Sequence, residues 1–260
     1  MDGRLHGKTA IVTGSNRGIG RAIAGRLAAE GARVVLSARD EALLAAAVKE
    51  IEAAGGRAAA VPLDLRQEEA SARLVEFALA TYGPPDIVVN NAGATKRGEF
   101  FELSEEDWSD GFALKFFGAV RLTRAAWPHL KQRGGSMVNI SGVGGRMPGP
   151  YFAIGGSVNA ALLSFTKAMA DVGVRDGVQV NAVNPGSIRT GRFRSLLAQQ
   201  AGQQGIPLEL AERQIVENNK ITRIGEPEDI AALVAFVVSP EGRLLQGAIL
   251  DMDGGATKVM

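Results

Sequence analysis

Short β-branched runs alternate along the chain with longer stretches rich in Ala and Leu, the pattern of a parallel sheet covered by helices on both faces. The runs at 9–12, 33–37, 58–62, 87–90, 136–140, 179–183 and 248–251 predict about seven strands. Helices are expected to begin near Gly18, Asp40, Arg66, Ser104, Gly155 and Pro227. Ser104 followed by Glu105, Glu106 and Asp107 reads as a helix start, a capping hydroxyl with acids at the positive end of the dipole. No linker-like tract divides the chain and no internal repeat is visible, so residues 1–260 read as one doubly wound α/β domain of Rossmann type. The irregular segment 191–220 is glutamine-rich and only weakly periodic. It follows the sixth strand, where ligands of such sheets bind, so it is either a substrate lid or a surface helix pair with no role in binding.

Composition narrows the classes. The net charge of +1 comes without long runs of either sign, which gives no case for nucleic acid or an anionic membrane as partner. Cysteine is absent, which excludes disulfides and thiolate chemistry, and the two histidines, His6 and His129, make a metal site an unlikely expectation. The N-terminal stretch has no apolar run long enough for a signal peptide and nowhere do 18 apolar residues follow one another, so a cytoplasmic protein acting on a small molecule is expected.

The stretch "TAIVTGSNRGIGRAIAGRLAAEGARVVLSAR" places a glycine-rich turn between a strand and a helix. Gly14, Gly18 and Gly20 allow a sharp turn and close approach to a pyrophosphate, and the helix directs its free N–H groups at the anion. The turn residues Ser15, Asn16, Arg17 and Ile19 share that position, and the strand–turn–helix context makes the motif specific. After the second strand, NAD-binding folds place an acid for the ribose hydroxyls; here Ala38 stands there, followed by Arg39. Arg17 and Arg39 favour a 2′-phosphate, hence NADP(H) over NAD(H), unless Asp40 faces the ribose instead.

"TGSNRGIG" (13–20), "NNAG" (90–93), "NPGSIRT" (184–190) and "DGG" (253–255) occur in the order of the short-chain dehydrogenase/reductase family, which the chain resembles over practically its whole length. "LDL" (63–65) and "RIGEPEDIAALVAFVVSP" (223–240) extend the likeness. The resemblance implies that Asp64 and Leu65 meet the adenine and that Asn91, Ala92 and Gly93 border the adenosine half. It also implies that Pro185, Gly186, Ile188 and Thr190 wrap the nicotinamide carboxamide.

The family's proton transfer relies on a tyrosine, a lysine four residues later, a serine and a helix asparagine. A phenol needs such a neighbouring cation to work near neutrality. By the resemblance these positions fall here on Gly155, Asn159, Gly142 and Lys115, so all four depart, and Tyr82 and Tyr151 are followed at the lysine spacing by Asp86 and Gly155. A lysine stands in the asparagine's place and an asparagine in the lysine's. Lys115 is the only charge in 113–120 and lies on the apolar face of its helix, desolvated by Phe112 and Phe116. Gly155 and Gly156 vacate volume that its side chain is expected to enter, unless it snorkels to the surface or pairs structurally. Asn159 retains the ability to hydrogen-bond the nicotinamide ribose. Ser141 and Tyr151 are further candidates to reach a substrate, the alternative for Tyr151 being a packed loop residue.

Three functions follow as expectations. One is an NADP(H)-dependent oxidoreductase with a rearranged site, Lys115 serving as acid or electrophile. The others are a cofactor-binding regulator or subunit without turnover, and a dehydration, isomerisation or Schiff-base reaction on the same fold. The helix expected over 104–133 and the apolar run 230–238 both suggest faces buried between subunits, hence a homotetramer or homodimer.

Overall fold

The computed structural model describes residues 3–258. The first half contains β1 (Thr9–Thr13), α1 (Gly18–Ala29), β2 (Arg33–Ala38), α2 (Glu41–Ala53), β3 (Arg57–Pro62), α3 (Ala70–Tyr82) and β4 (Ile87–Asn90). The second contains α4 (Glu105–Gly111), α5 (Gly118–Arg133), β5 (Ser136–Ile140), α6 (Ala153–Asp176), β6 (Gln179–Pro185), α7 (Gly191–Gln204), α8 (Leu208–Asn219), α9 (Pro227–Val238) and β7 (Ile249–Met252). The strands form one parallel sheet in the order β3-β2-β1-β4-β5-β6-β7. The order reverses between β1 and β4, which opens the crevice where such sheets bind their ligands.

Strand side chains alternate between two cores. Ala10 and Val12 of β1 join one cluster with Ile23, Leu27, Ile230 and Val234 from α1 and α9. Ile11 between them joins the other with Leu74, Leu122 and Leu130 from α3 and α5. A period of two carried between two covered faces is why these strands read as continuous apolar runs. Among the described residues no helix is long and apolar enough to cross a membrane.

Several expectations shift on this frame. The helix expected near Arg66 begins at Ala70, because Asp64 accepts from the Arg66 N–H at 3.1 Å and holds 64–67 in a turn. The helix expected near Gly155 begins at Ala153, after a 3₁₀ turn over Pro150–Phe152. Ser104 does cap α4, accepting from the Asp107 N–H at 3.2 Å while Asp107 accepts from the Ser104 N–H at 3.0 Å. Segment 191–220 is a helix pair, α7 and α8, with a small apolar core of its own at Leu197, Ala201 and Ala211. Arg189 grips Glu212 of α8 through two bonds, at 2.5 and 2.8 Å, and Glu226 at 2.8 Å, which ties the pair to the end of β6 and the start of α9. The apolar run 230–238 packs mostly inward, and Phe236 alone of its large side chains is exposed, at 40%.

Candidate active site

The segments that leave the carboxyl ends of β4 and β5 meet around one lysine, with α6 beside them. Between α4 and α5 the helix widens into a π-helical stretch over Phe112–Phe117, and Lys115 projects from it. Its Nζ donates to the Ser141 carbonyl at 2.8 Å, just past β5, and to Asn159 Oδ1 of α6 at 2.6 Å. The aliphatic stem passes over Gly93, where a Cβ would stand 2.8 Å from Lys115 Cδ, so a side chain there would displace the lysine. Asn159 and Ser141 are buried, and the Ser141 hydroxyl donates to the Asn159 carbonyl at 3.0 Å. The two acceptors are thus fixed to each other before the lysine reaches them.

Among the described residues no carboxylate pairs with the ammonium. Burial first, and the positive charge of Arg192 second, push the Lys115 pKa down to about 7. Phe112 and Phe116 pack edge to face on each other at 6.1 Å, and Phe116 does the same with Phe165 at 6.0 Å. Gly93, Ser141 and Asn159 form the contacts that hold the lysine.

The space vacated at Gly155 is not filled by Lys115. Phe152, one turn earlier, lays its ring there: a Cβ on Gly155 would lie 2.0 Å from Phe152 Cζ, and one on Gly144 would lie 2.8 Å from its Cε1. A neighbouring aromatic ring reaches an apolar gap at less desolvation than an ammonium would require, so it takes the place. A Cβ on Gly142 would meet Asn159 Nδ2 at 2.9 Å, so the missing side chain there leaves room for the asparagine. Tyr151 stands apart: it is 56% exposed, and its hydroxyl bonds Glu99, which raises its pKa. The Ser141 hydroxyl is likewise committed inward, so its carbonyl is what it offers the site.

At the phosphate end the glycine turn is tightly built. A Cβ on Gly14 would lie 2.9 Å from Ala92 Cα, and one on Gly20 would lie 2.3 Å from the Gly14 carbonyl oxygen. Asn91 fastens the turn to β4 by donating to the Thr13 and Gly14 carbonyls at 2.9 and 3.1 Å. Ser15 is turned inward, donating to the Val12 carbonyl at 2.7 Å and accepting from the Ser37 N–H at 3.0 Å. Asn16, Arg17, Gly18 and Ile19 carry the backbone into α1, whose first turn has no side-chain cap and so keeps its N–H groups for a ligand. Thr190 closes the far side, its methyl 3.3 Å from where a Cβ on Gly18 would sit.

Beyond β2, Arg39 is 67% exposed and 3.8 Å from Asp64, which also binds Arg66 at 3.3 Å. Asp40 caps α2, accepting from the Leu43 N–H at 2.9 Å. Leu65 is 5% exposed and its side chain belongs to the core. Pro185 ends β6, Gly186 lies against Asp253, where a Cβ would be 2.7 Å from the Asp253 Cα, and Ile188 is buried.

Two residues of this cleft escaped the sequence reading. Arg192, in the first turn of α7, reaches across to donate to the Thr95 carbonyl at 2.8 Å. Arg97 sits with its guanidinium carbon 4.6 Å above the Phe152 ring. Each looks in sequence like a solvated surface charge; only their position in segments bordering "NNAG" and "NPGSIRT" was a signal.

A glycine turn at the strand-order reversal marks a dinucleotide-binding α/β protein. A family model described as enoyl-(acyl carrier protein) reductase matches residues 14–257. An uncharacterized oxidoreductase of Mycobacterium tuberculosis is 38% identical, with 98% of this chain and 94% of that protein covered. Among solved structures, L-sorbose reductase of Gluconobacter frateurii, complexed with NADPH and L-sorbose, superposes with a TM-score of 0.95 over 100% of both chains at 31% identity. A short-chain dehydrogenase of Burkholderia cenocepacia, in complex with NADP, gives 0.86 at 35% identity over 97% of this chain and 99% of its own. The chain belongs to the short-chain dehydrogenase/reductase family.

Proposed function

We propose that the protein is an NADP(H)-dependent oxidoreductase of small carbonyl or alcohol substrates in which Lys115 handles the proton. The observation that carries this reading is the Lys115 amine, held at 2.6 Å by Asn159 and 2.8 Å by Ser141, with a pKa pushed down to about 7. A usable acid–base group titrates near the working pH, and an ordinary lysine does not.

The cofactor cradle supports NADP(H). Gly14 and Gly20 leave no room for side chains, the first turn of α1 is uncapped, and Arg17 and Arg39 stand where Ala38 replaces the usual acid. Asp40 serves as the helix cap of α2, and Ala38 rather than an acid ends β2. The family relatives described as NADP(H) complexes agree with this preference. Bound there, NADP(H) supplies or accepts a hydride.

The chain's own part is to position and protonate. An ammonium has three donors, and two are directed at fixed acceptors, which leaves the third for the substrate oxygen. Once that proton is given up, the neutral amine still satisfies both acceptors with its two N–H bonds, and its lone pair takes the third position. Either protonation state therefore fits the same site without rearrangement. In reduction Lys115 gives its proton to the carbonyl oxygen; in oxidation it takes one from the alcohol. Helices α7 and α8 are read as the lid over the substrate. The exposed Phe117 and Phe236 support a homodimer or homotetramer.

Loss of NADPH absorbance over a panel of carbonyl compounds tests the reading: turnover is expected, and Lys115→Met is expected to abolish it while holding NADPH affinity within a few-fold. A second reading, cofactor binding without turnover, draws on the Phe152 ring over Gly155 and the inward Ser141 hydroxyl. NADPH that binds but is not consumed by any of the panel favours it. Trapping of a substrate on Lys115 by borohydride favours a Schiff-base reaction instead.

A further inference from the structure

We propose that the substrate carries an anionic group, a carboxylate or a phosphate, and that Arg97 and Arg192 bind it beside Lys115. This rests on the reading of the Lys115 cleft as the active site and names the chemistry of what enters it.

The cleft gathers cations without matching acids. Arg192 reaches a neutral carbonyl, that of Thr95 at 2.8 Å, and Arg97 lies on the face of Phe152 at 4.6 Å. Neither forms an ion pair with a carboxylate among the described residues. Of the acids that follow Arg97 in the chain, Glu99 is engaged with the Tyr151 hydroxyl and Asp107 with Lys96 at 2.7 Å. Arg189, which pairs with Glu212 and Glu226, and Arg223, which pairs with Asp229, show the contrast.

The charges also act on one another. Arg192 is felt by Lys115 and itself feels Arg97 and Arg17, so the four form one electrostatic group. Although both arginines stand at the rim, protein crowds their guanidiniums and pushes each pKa below its ordinary value. Like charges held together and partly desolvated are relieved by an anion, and the planar guanidinium fork suits carboxylate and phosphate oxygens.

The two arginines divide the cleft. Arg192 lies toward Arg17 and the glycine turn, so part of its charge is available to the cofactor. Arg97 belongs to the other side, stacked on the ring that covers Gly155. Arg97 is therefore the residue that separates substrate recognition from cofactor binding.

The test uses the full chain with NADPH and paired probes: levulinate against its methyl ester, and dihydroxyacetone phosphate against dihydroxyacetone. At least one anionic probe is expected to exceed its neutral partner in kcat/KM by about tenfold or more. The pair that shows the preference separates carboxylate from phosphate. Arg97→Met is expected to erase it by raising KM for the anion with little change in kcat or NADPH affinity, and Arg97→Lys to restore part of it. Equal use of charged and neutral partners, or equal loss for both in Arg97→Met, overturns the proposal. Thermal shifts of the NADPH-loaded protein with glutarate and methylphosphonate give a readout that needs no turnover. Stabilisation by either, lost in Arg97→Met and partly kept in Arg97→Lys, supports the anion site even if no carbonyl is reduced, a result that would count only against the oxidoreductase reading. With no probe turned over, absent or unaltered stabilisation overturns the anion site.

Discussion

Lys115 and Asn159 meet at 2.6 Å across the gap between the π-helical stretch and α6, each standing where the family resemblance places the other's residue type. That exchange is testable as a unit. Asn159→Lys alone sets two ammonium groups against each other, and Lys115→Asn alone removes the amine. The double variant Lys115→Asn/Asn159→Lys returns one amine and one amide to the same contact. Both single variants are expected to lose turnover and stability, and the double to regain stability with an interaction energy of roughly 0.5–3 kcal/mol. Urea unfolding of the four proteins measures it; additive effects would mean that the two side chains are not coupled.

The pH dependence follows from the lowered lysine pKa. In the cofactor-free protein, between about 7 and the ordinary lysine value of 10.5, the unfolded chain holds a proton that the folded chain has released. Stability therefore rises with pH through that window, and the full penalty for burying the charge is felt below about 7. The melting temperature of the unmodified protein minus that of Lys115→Met is expected to increase across the window. A flat difference would place the amine in bulk solvent.

Turnover should titrate with the same group. Carbonyl reduction needs the ammonium and is expected to fall as pH rises through the Lys115 pKa, while alcohol oxidation rises. Cofactor phosphates move the inflection upward by attraction. Because Arg192 is the second cause of the depression, Arg192→Gln is expected to move it upward again. Rate profiles of the two proteins at saturating NADPH decide this, and an inflection shifted downward would remove Arg192 from the account.

Cofactor choice is expected to depend on Arg39. Its side chain is 67% exposed and its contact with Asp64, at 3.8 Å, is loose enough to give way to a phosphate. Arg39→Ala is expected to weaken NADPH binding by roughly 1–3 kcal/mol and leave NADH almost unaffected. Fluorescence titration provides the comparison, and NADH binding as tightly as NADPH to the unmodified protein would refute the preference.

The apolar run at 230–238 offers association fewer exposed side chains than its sequence suggested. Ile230, Ala231, Val234, Ala235, Val237 and Val238 are buried within the subunit, which leaves Phe236 at 40% exposure and, on the opposite core's helices, Phe117 at 46%. Light scattering at micromolar concentration is expected to give a dimer or tetramer, and Phe236→Glu or Phe117→Glu to reduce its mass. A monomer for the unmodified chain would contradict this.

What could be read from the sequence was what local chemistry dictates. Strands such as β1 and β4 are apolar on successive residues because both sheet faces are covered, and Gly14 and Gly20 have no room for a side chain, so each leaves a signature within a short window. The departures at Gly142, Gly155 and Asn159 were equally visible as residue types. What fills those departures depended on contacts that no local window contains. The π-helical stretch re-aims Lys115, and nothing in the spacing of 113–120 distinguishes its bonding from that of an α-helix. Phe152 rather than Lys115 takes the space at Gly155, since a ring is easier to desolvate than an ammonium. Arg192 finds Thr95 across 97 residues of chain, a meeting made by the sheet order and the docking of α7. The sequence by itself determined the nucleotide-binding frame; only the tertiary structure decided which side chains share the cleft, because burial and charge at that site come from segments distant along the chain.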